Sequence, residues 1–233
     1  MTTTPNQPEP QSGSPSGSQA GSQPDSQPEP GSGDAAVRAQ AERAEQTRDR
    51  NVPEFDDVPG VGDTANLRLG PEIDEYCLAL LPLVGVWRGE GEASHPSLSE
   101  SYRFLQEVTF SHDGRSFLHY ESRAWRLDGA GGEIVEPAFR ETGWWRPQPD
   151  DTIEVLIAHS SGVAEMFFGK PRNQTTWEFS TDAVVRTPTA EDVTAANRLY
   201  GVVEGSLAYV EERATSEHEM QPRLSAKLER VVG

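Results

Sequence analysis

Cysteine is almost missing from the 233-residue sequence. Cys77 stands alone, so no internal disulfide and no paired-thiol redox or metal site can form within one chain. Long apolar runs are missing too. Nothing approaches the ~18 consecutive apolar residues of a membrane span, and the first residues, MTTTPNQPEP, lack the basic start and apolar stretch of a secretory signal. Positive charge is scarce, with 20 Lys and Arg against 38 Asp and Glu and a net charge of -18. Nucleic acids and anionic membranes require basic faces, so neither is expected as a partner. Apolar residues make up 34% of the chain, below the ~45–50% of an ordinary globular domain. Part of the chain is therefore expected not to fold, and the whole reads as an acidic cytoplasmic protein.

The apolar deficit is concentrated at the start. Residues 1–34 are built from Pro, Gly, Ser, Gln and Thr with a few acids, and hold no aromatic residue. Such a stretch has nothing to bury against the entropy of ordering, and disorder is expected. Residues 35–51, AAVRAQAERAEQTRDRN, are rich in helix formers but carry no continuous apolar stripe, the pattern of a solvated helix. Pro53 and Pro59-Gly60 end it. This divides the chain into an acidic tail, residues 1–63, with a possible helix at 35–51, and a folded domain, residues 64–233. The tail could dock a basic protein partner, whose identity the sequence does not give. Pro71, the acids after it and the apolar residues beyond predict a short helix over residues 71–80 leading into the domain, with Cys77 on its apolar side.

From Leu83 onward the spacing alternates. Segments such as SYRFLQEVTF, TIEVLIAHS, VAEMFFG, QTTWEFST, SLAYVEERA and RLSAKLERVV have the β-branched and aromatic content of strands. Turn residues separate them at Asp113-Gly114, Pro149 and Ser161-Gly162. About ten short-looped strands form a meander, which must close to remove its edges. The fold expected is all-β, an antiparallel up-and-down barrel of about ten strands, like a lipocalin or fatty-acid-binding protein. The alternating faces are mixed rather than cleanly apolar, which favours a barrel with an internal cavity.

The first strand opens Val84-Gly85-Val86-Trp87-Arg88-Gly89-Glu90-Gly91. Gly85, Gly89 and Gly91 share one parity with Trp87, a pattern that suits a close backbone approach or a bend. This GVWRGEG segment resembles the GxWxGxG signature of the nitrobindin family. The similarity continues through YRFLQEVTFSHDGRSFLHYESRAW, EPAFRETGWWRP, IAHSSGVAEMFFG and MQPRLSAKLERV, in family order. It implies a ten-stranded barrel that binds ferric haem b at one end and reacts with NO and peroxynitrite. It also implies an axial His on the last strand, in a segment that reads Gln-Pro-His-Leu in the family. Here that segment is Gln221-Pro222-Arg223-Leu224.

The departure is chemical. Imidazole offers iron a lone pair, whereas guanidinium is always protonated and offers only donors. Arg223 could instead hold an anion through its planar fork, or point to solvent. Strand parity, with Leu224, Ala226 and Leu228 packed, puts Arg223 outside unless a bulge near Pro222 upsets the count. The resemblance marks Ser94 and Arg223 as haem-edge and axial positions. His159 shares parity with Ile153, Val155 and Ile157 and is the candidate for a cavity-facing histidine. His95 lies in the turn after Ser94, and His112 reads as turn surface. No catalytic residue and no metal site is assigned, because no acid–base pair, nucleophile motif or histidine spacing marks one. The expected function is a haem-free module that binds a small hydrophobic or anionic ligand in the barrel. The alternative is a haem b protein with altered ligation, through His159, His218 or water, acting as a peroxynitrite isomerase.

Overall fold

The computed structural model describes residues 32–49, 62–129 and 132–233. The disordered-tail and linker expectations fall mainly on residues 1–31 and 50–61, outside the described residues. The chain divides into two units, residues 1–58 and 59–233. In the first, α1 (Ser32–Thr47) is exposed along its described length. Asp34 sits in its first turn, where the helix dipole favours an acid. Arg48 pairs with Glu45 at 2.6 Å just beyond its end. No helix among the described residues is long and apolar enough to cross a membrane.

The second unit opens with a 3-10 helix, Glu75–Leu83, in place of the expected helix over residues 71–80. Asp74 caps it by accepting from the Tyr76 N–H at 2.9 Å. Cys77, Leu80 and Leu83 are its buried residues. Their spacing of three matches the three residues per turn of this helix, so all lie on one face. Burial pushes the Cys77 thiol up to about 12, with Asp74 adding to the effect.

Ten strands follow: β1 (Gly85–Ala93), β2 (Tyr102–Ser111), β3 (Leu118–Leu127), β4 (Ile134–Pro147), β5 (Ile153–His159), β6 (Val163–Asn173), β7 (Thr176–Arg186), β8 (Ala195–Val203), β9 (Ser206–Ala214) and β10 (Gln221–Val232). Each pairs antiparallel with the next, and β1 pairs with β10 to close the barrel. The seam explains the glycine motif. Gly89 lies opposite Leu228 and Gly91 opposite Ala226. A Cβ on Gly89 would collide with the Lys227 carbonyl, and one on Gly91 with the Phe104 ring and the Ser225 carbonyl.

The two barrel ends differ. The 3-10 helix packs at one of them. The Trp87 indole N–H donates to the Leu83 carbonyl at 2.8 Å, and that of Trp177 to the Ala79 carbonyl at 3.1 Å. Arg230 lies over the Trp87 ring and donates to the Val84 and Pro82 carbonyls. The interior beside this end is aromatic and aliphatic, with Phe110, Leu118, Trp145 and Phe179 fully buried. Trp144, on the opposite face of β4, is exposed. The other end carries the β1–β2, β3–β4, β5–β6, β7–β8 and β9–β10 loops. Towards that end the interior turns polar. The cavity at that end is lined largely by charged side chains.

Candidate functional site

The site is built from charged residues that share the inward parity of apolar neighbours. Glu141 alternates with Gly143 and Trp145 on β4, and Glu165 lies between Val163 and Phe167 on β6. Arg198 lies between Ala196 and Tyr200 on β8, and Glu211 and Arg213 follow Leu207 and Tyr209 on β9; all these charged residues are buried. Tyrosine hydroxyls border the layer. Tyr120 donates to Glu141 Oε2 at 2.7 Å, and Tyr209 to Gln106 Oε1 at 2.9 Å. Tyr200 stacks on Tyr209 with ring centres 5.3 Å apart.

Arg198 is the hub. Its Nη2 lies 2.7 Å from Glu141 Oε1 and 2.7 Å from Glu211 Oε2, and its Nη1 donates to Glu141 Oε2 at 3.1 Å. Arg213 Nη2 lies 3.0 Å from Glu211 Oε1. His159 stands between two acids, with Nδ1 3.3 Å from Glu141 Oε1 and Nε2 2.7 Å from Glu165 Oε2. Burial alone would raise the Glu141 and Glu211 carboxyls. The arginines beside them, with His159 at Glu141, hold Glu141 well below the usual carboxylate range and lower Glu211 as well. Burial alone would likewise lower the Arg198 and Arg223 guanidiniums, and the facing carboxylates raise both instead. Arg198 and Arg223 therefore stay cationic beside the carboxylates they face.

Arg223 belongs to this layer. The β9–β10 register shifts between Pro222 and Leu224, a β-bulge that breaks the alternation. Arg223 and Leu224 are consequently buried in succession, so the side chain is not on the outside as unbroken parity requires. Its Nη1 reaches Glu211 Oε1 at 3.4 Å, and its Nη2 reaches Glu191 Oε2 at 3.1 Å. Leu224, Ala226 and Leu228 are packed as expected.

His159, Arg213, Arg223, Glu141 and Glu191 line one cavity of about 250 Å³, so the structure unites two of the sequence candidates, Arg223 and His159. Ser94 is separate. Its backbone N–H donates to the Arg223 carbonyl at 2.9 Å, but its exposed side chain accepts from the Ser101 hydroxyl at 3.0 Å. Gly85, Trp87, Gly89 and Gly91 belong to barrel closure rather than to the cavity. His95 is buried: Nδ1 accepts from the Ser97 N–H at 3.1 Å and Nε2 donates to the Arg213 carbonyl at 3.2 Å. Its pKa lies below the usual value, chiefly through burial. His112 is buried rather than on a turn surface, with its backbone paired to Thr64. His218 packs edge-on against His95, ring centres 5.8 Å apart.

The donor set can be tested against haem b. Arg223 has no lone pair for iron, and two carboxylates hold it. Both ring nitrogens of His159 face carboxylates. The cavity is smaller than the ~300–1,000 Å³ typical of drug-sized ligand sites. In this arrangement these residues do not fit an axial haem site.

Residues 76–230 match the model of a family described as a THAP4-like, heme-binding beta-barrel domain. The sequence is 81% identical over 205 residues to a ferric nitrobindin-like protein of Saccharopolyspora erythraea, covering 88% of this chain and 97% of the relative. It is 52% identical over 213 residues to peroxynitrite isomerase 2 of Mycolicibacterium smegmatis, covering 88% and 96%. Among solved structures it resembles Rv2717c from M. tuberculosis, with a TM-score of 0.60 and 30% identity, over 68% of this chain and 99% of that one. With its ten-stranded closed barrel and its match over two thirds of the sequence, the chain belongs to the nitrobindin family.

Proposed function

We propose that this chain is a nitrobindin-family barrel without the family's haem ligation, and that it binds a small ligand with an anionic group. One observation carries the reading. Arg223, at the position the family pattern gives to the axial histidine, is buried by a β-bulge and tied to Glu211 and Glu191. A guanidinium cannot ligate iron, and its fixed charge disfavours a ferric centre at short range. The arginines of the layer are donors suited to a carboxylate or another planar anion. The acidic chain is expected to work in the cytoplasm, away from nucleic acid and membrane surfaces.

A second reading follows from the relatives named as peroxynitrite isomerases, and His159 in the same cavity favours it. Haem b would then be held through His159, His218 or water, and His159 would have to leave Glu141 or Glu165. A titration of the purified full chain with ferric haem, followed by absorbance, separates the two. No saturable uptake by the natural sequence is expected. Uptake by Arg223→His would locate the loss at that residue, and uptake by neither would locate it in the surrounding charge layer. Tight one-to-one uptake by the natural sequence refutes the first reading.

A further inference from the structure

One member of the charge layer differs from the rest. Glu191 lies on the loop between β7 and β8 and not on a strand. Its side chain is 45% exposed, whereas those of Glu141, Glu165 and Glu211 are at most 4% exposed. A single oxygen, Glu191 Oε2, lies 3.0 Å from Arg213 Nη1 and 3.1 Å from Arg223 Nη2. The Nε atoms of Arg213 and Arg223 are buried without a hydrogen-bond partner, although an unpaired buried donor is costly.

The charges show what would follow if Glu191 moved away. Arg198, Arg213 and Arg223 face Glu141, Glu165 and Glu211 on the strands, with His159 between Glu141 and Glu165. Glu191 adds a fourth carboxylate, shared by Arg213 and Arg223, and as the most exposed of the four it can return to water at least cost. Its neighbours are anchored. Asp192 Oδ2 accepts from the Ser216 N–H at 2.7 Å, Thr194 N–H donates to the Ala214 carbonyl at 3.0 Å, and Val193 is buried. The Glu191 side chain can therefore swing out while the loop stays in place.

We propose that the Arg213–Arg223 pair is the binding site for one small planar monoanion, a carboxylate or an oxyanion such as nitrate, and that Glu191 is its tethered competitor. This rests on the haem-free reading of the barrel end. Planarity follows from the guanidinium forks, single charge from the one carboxylate displaced, and small size from the cavity of about 250 Å³.

The test is calorimetric titration of the full chain with sodium acetate and sodium nitrate, against chloride and sulfate. It uses the natural sequence, Glu191→Ala and Arg223→Gln. Removing the tethered competitor is expected to tighten acetate or nitrate binding by about tenfold, with one anion per chain. Chloride and sulfate should bind more weakly, and Arg223→Gln should lose binding. Acetate preferred over nitrate identifies a carboxylate ligand, and the reverse an inorganic one. Equal affinity with and without Glu191, or no binding by Glu191→Ala, overturns the proposal. So does chloride binding as well as acetate. The haem titration is read separately: tight haem uptake by the natural sequence removes the haem-free reading and the anion site with it, whereas no haem uptake together with no competitor relief removes the anion site alone.

Discussion

Arg198→Met tests whether the buried charges hold the barrel end together. The side chain is 2% exposed and touches Glu141 through both Nη atoms and Glu211 through Nη2. At an effective dielectric of ~20, each close pair is worth roughly 4 kcal/mol of gross attraction. Two such pairs are partly offset by the cost of burying the guanidinium, several kcal/mol per ion. The variant loses the attraction, recovers that burial cost and leaves Glu141 with only Tyr120 and His159 close by. Removing one partner of a buried pair costs about 3–5 kcal/mol, or roughly 6–20 °C in Tm at ~2–4 °C per kcal/mol for a domain of this size. Urea unfolding at pH 7, followed by tryptophan fluorescence, measures it. The partner variant gives the sharper readout. Adding Glu141→Gln removes the stranded charge, so the double variant should cost less than the sum of the singles by about 2 kcal/mol. A single-variant loss under ~1 kcal/mol, or simple additivity, would refute the argument.

The acids of the same layer make stability depend on pH. Glu141 and Glu211 have folded-state pKa values below their unfolded values. Their contribution is therefore fully present above about pH 4.5 and is lost as pH falls below it. His95, also lowered, adds a smaller loss as pH falls below about 6.5, where the unfolded ring takes up a proton first. Urea midpoints from pH 8 to pH 3 should fall monotonically, and a flat profile below pH 5 contradicts this. Gly91→Ala should lower stability by several kcal/mol or prevent folding, because its Cβ meets the Ser225 carbonyl at the closing seam. Glu90→Ala, an exposed neighbour on the same strand, should change it by under ~0.5 kcal/mol.

The barrel was legible because alternation and turn residues are local signals. SYRFLQEVTF and SLAYVEERA each carry their period within a few residues, and such strands in series must close on themselves. A leading helix is legible from Pro71 and the apolar residues after it, and its 3-10 type lies in the three-residue spacing of Cys77, Leu80 and Leu83. Glu141, Glu165, Arg198, Glu211 and Arg213 form a group only in the folded barrel. The available signal was a charged residue at an inward position on strand after strand, but no short motif links residues 72 positions apart.

The sequence by itself determined the all-β class, the closure and the presence of a guanidinium at residue 223, since each is a property of a segment or of one residue's chemistry. Only the tertiary structure decided where Arg223 points. One extra residue in β10 reverses parity, and that bulge is defined by pairing with β9. Tertiary structure likewise decided that Arg213 and Arg223 share Glu191, because strand β9, strand β10 and the β7–β8 loop meet only when the barrel has closed.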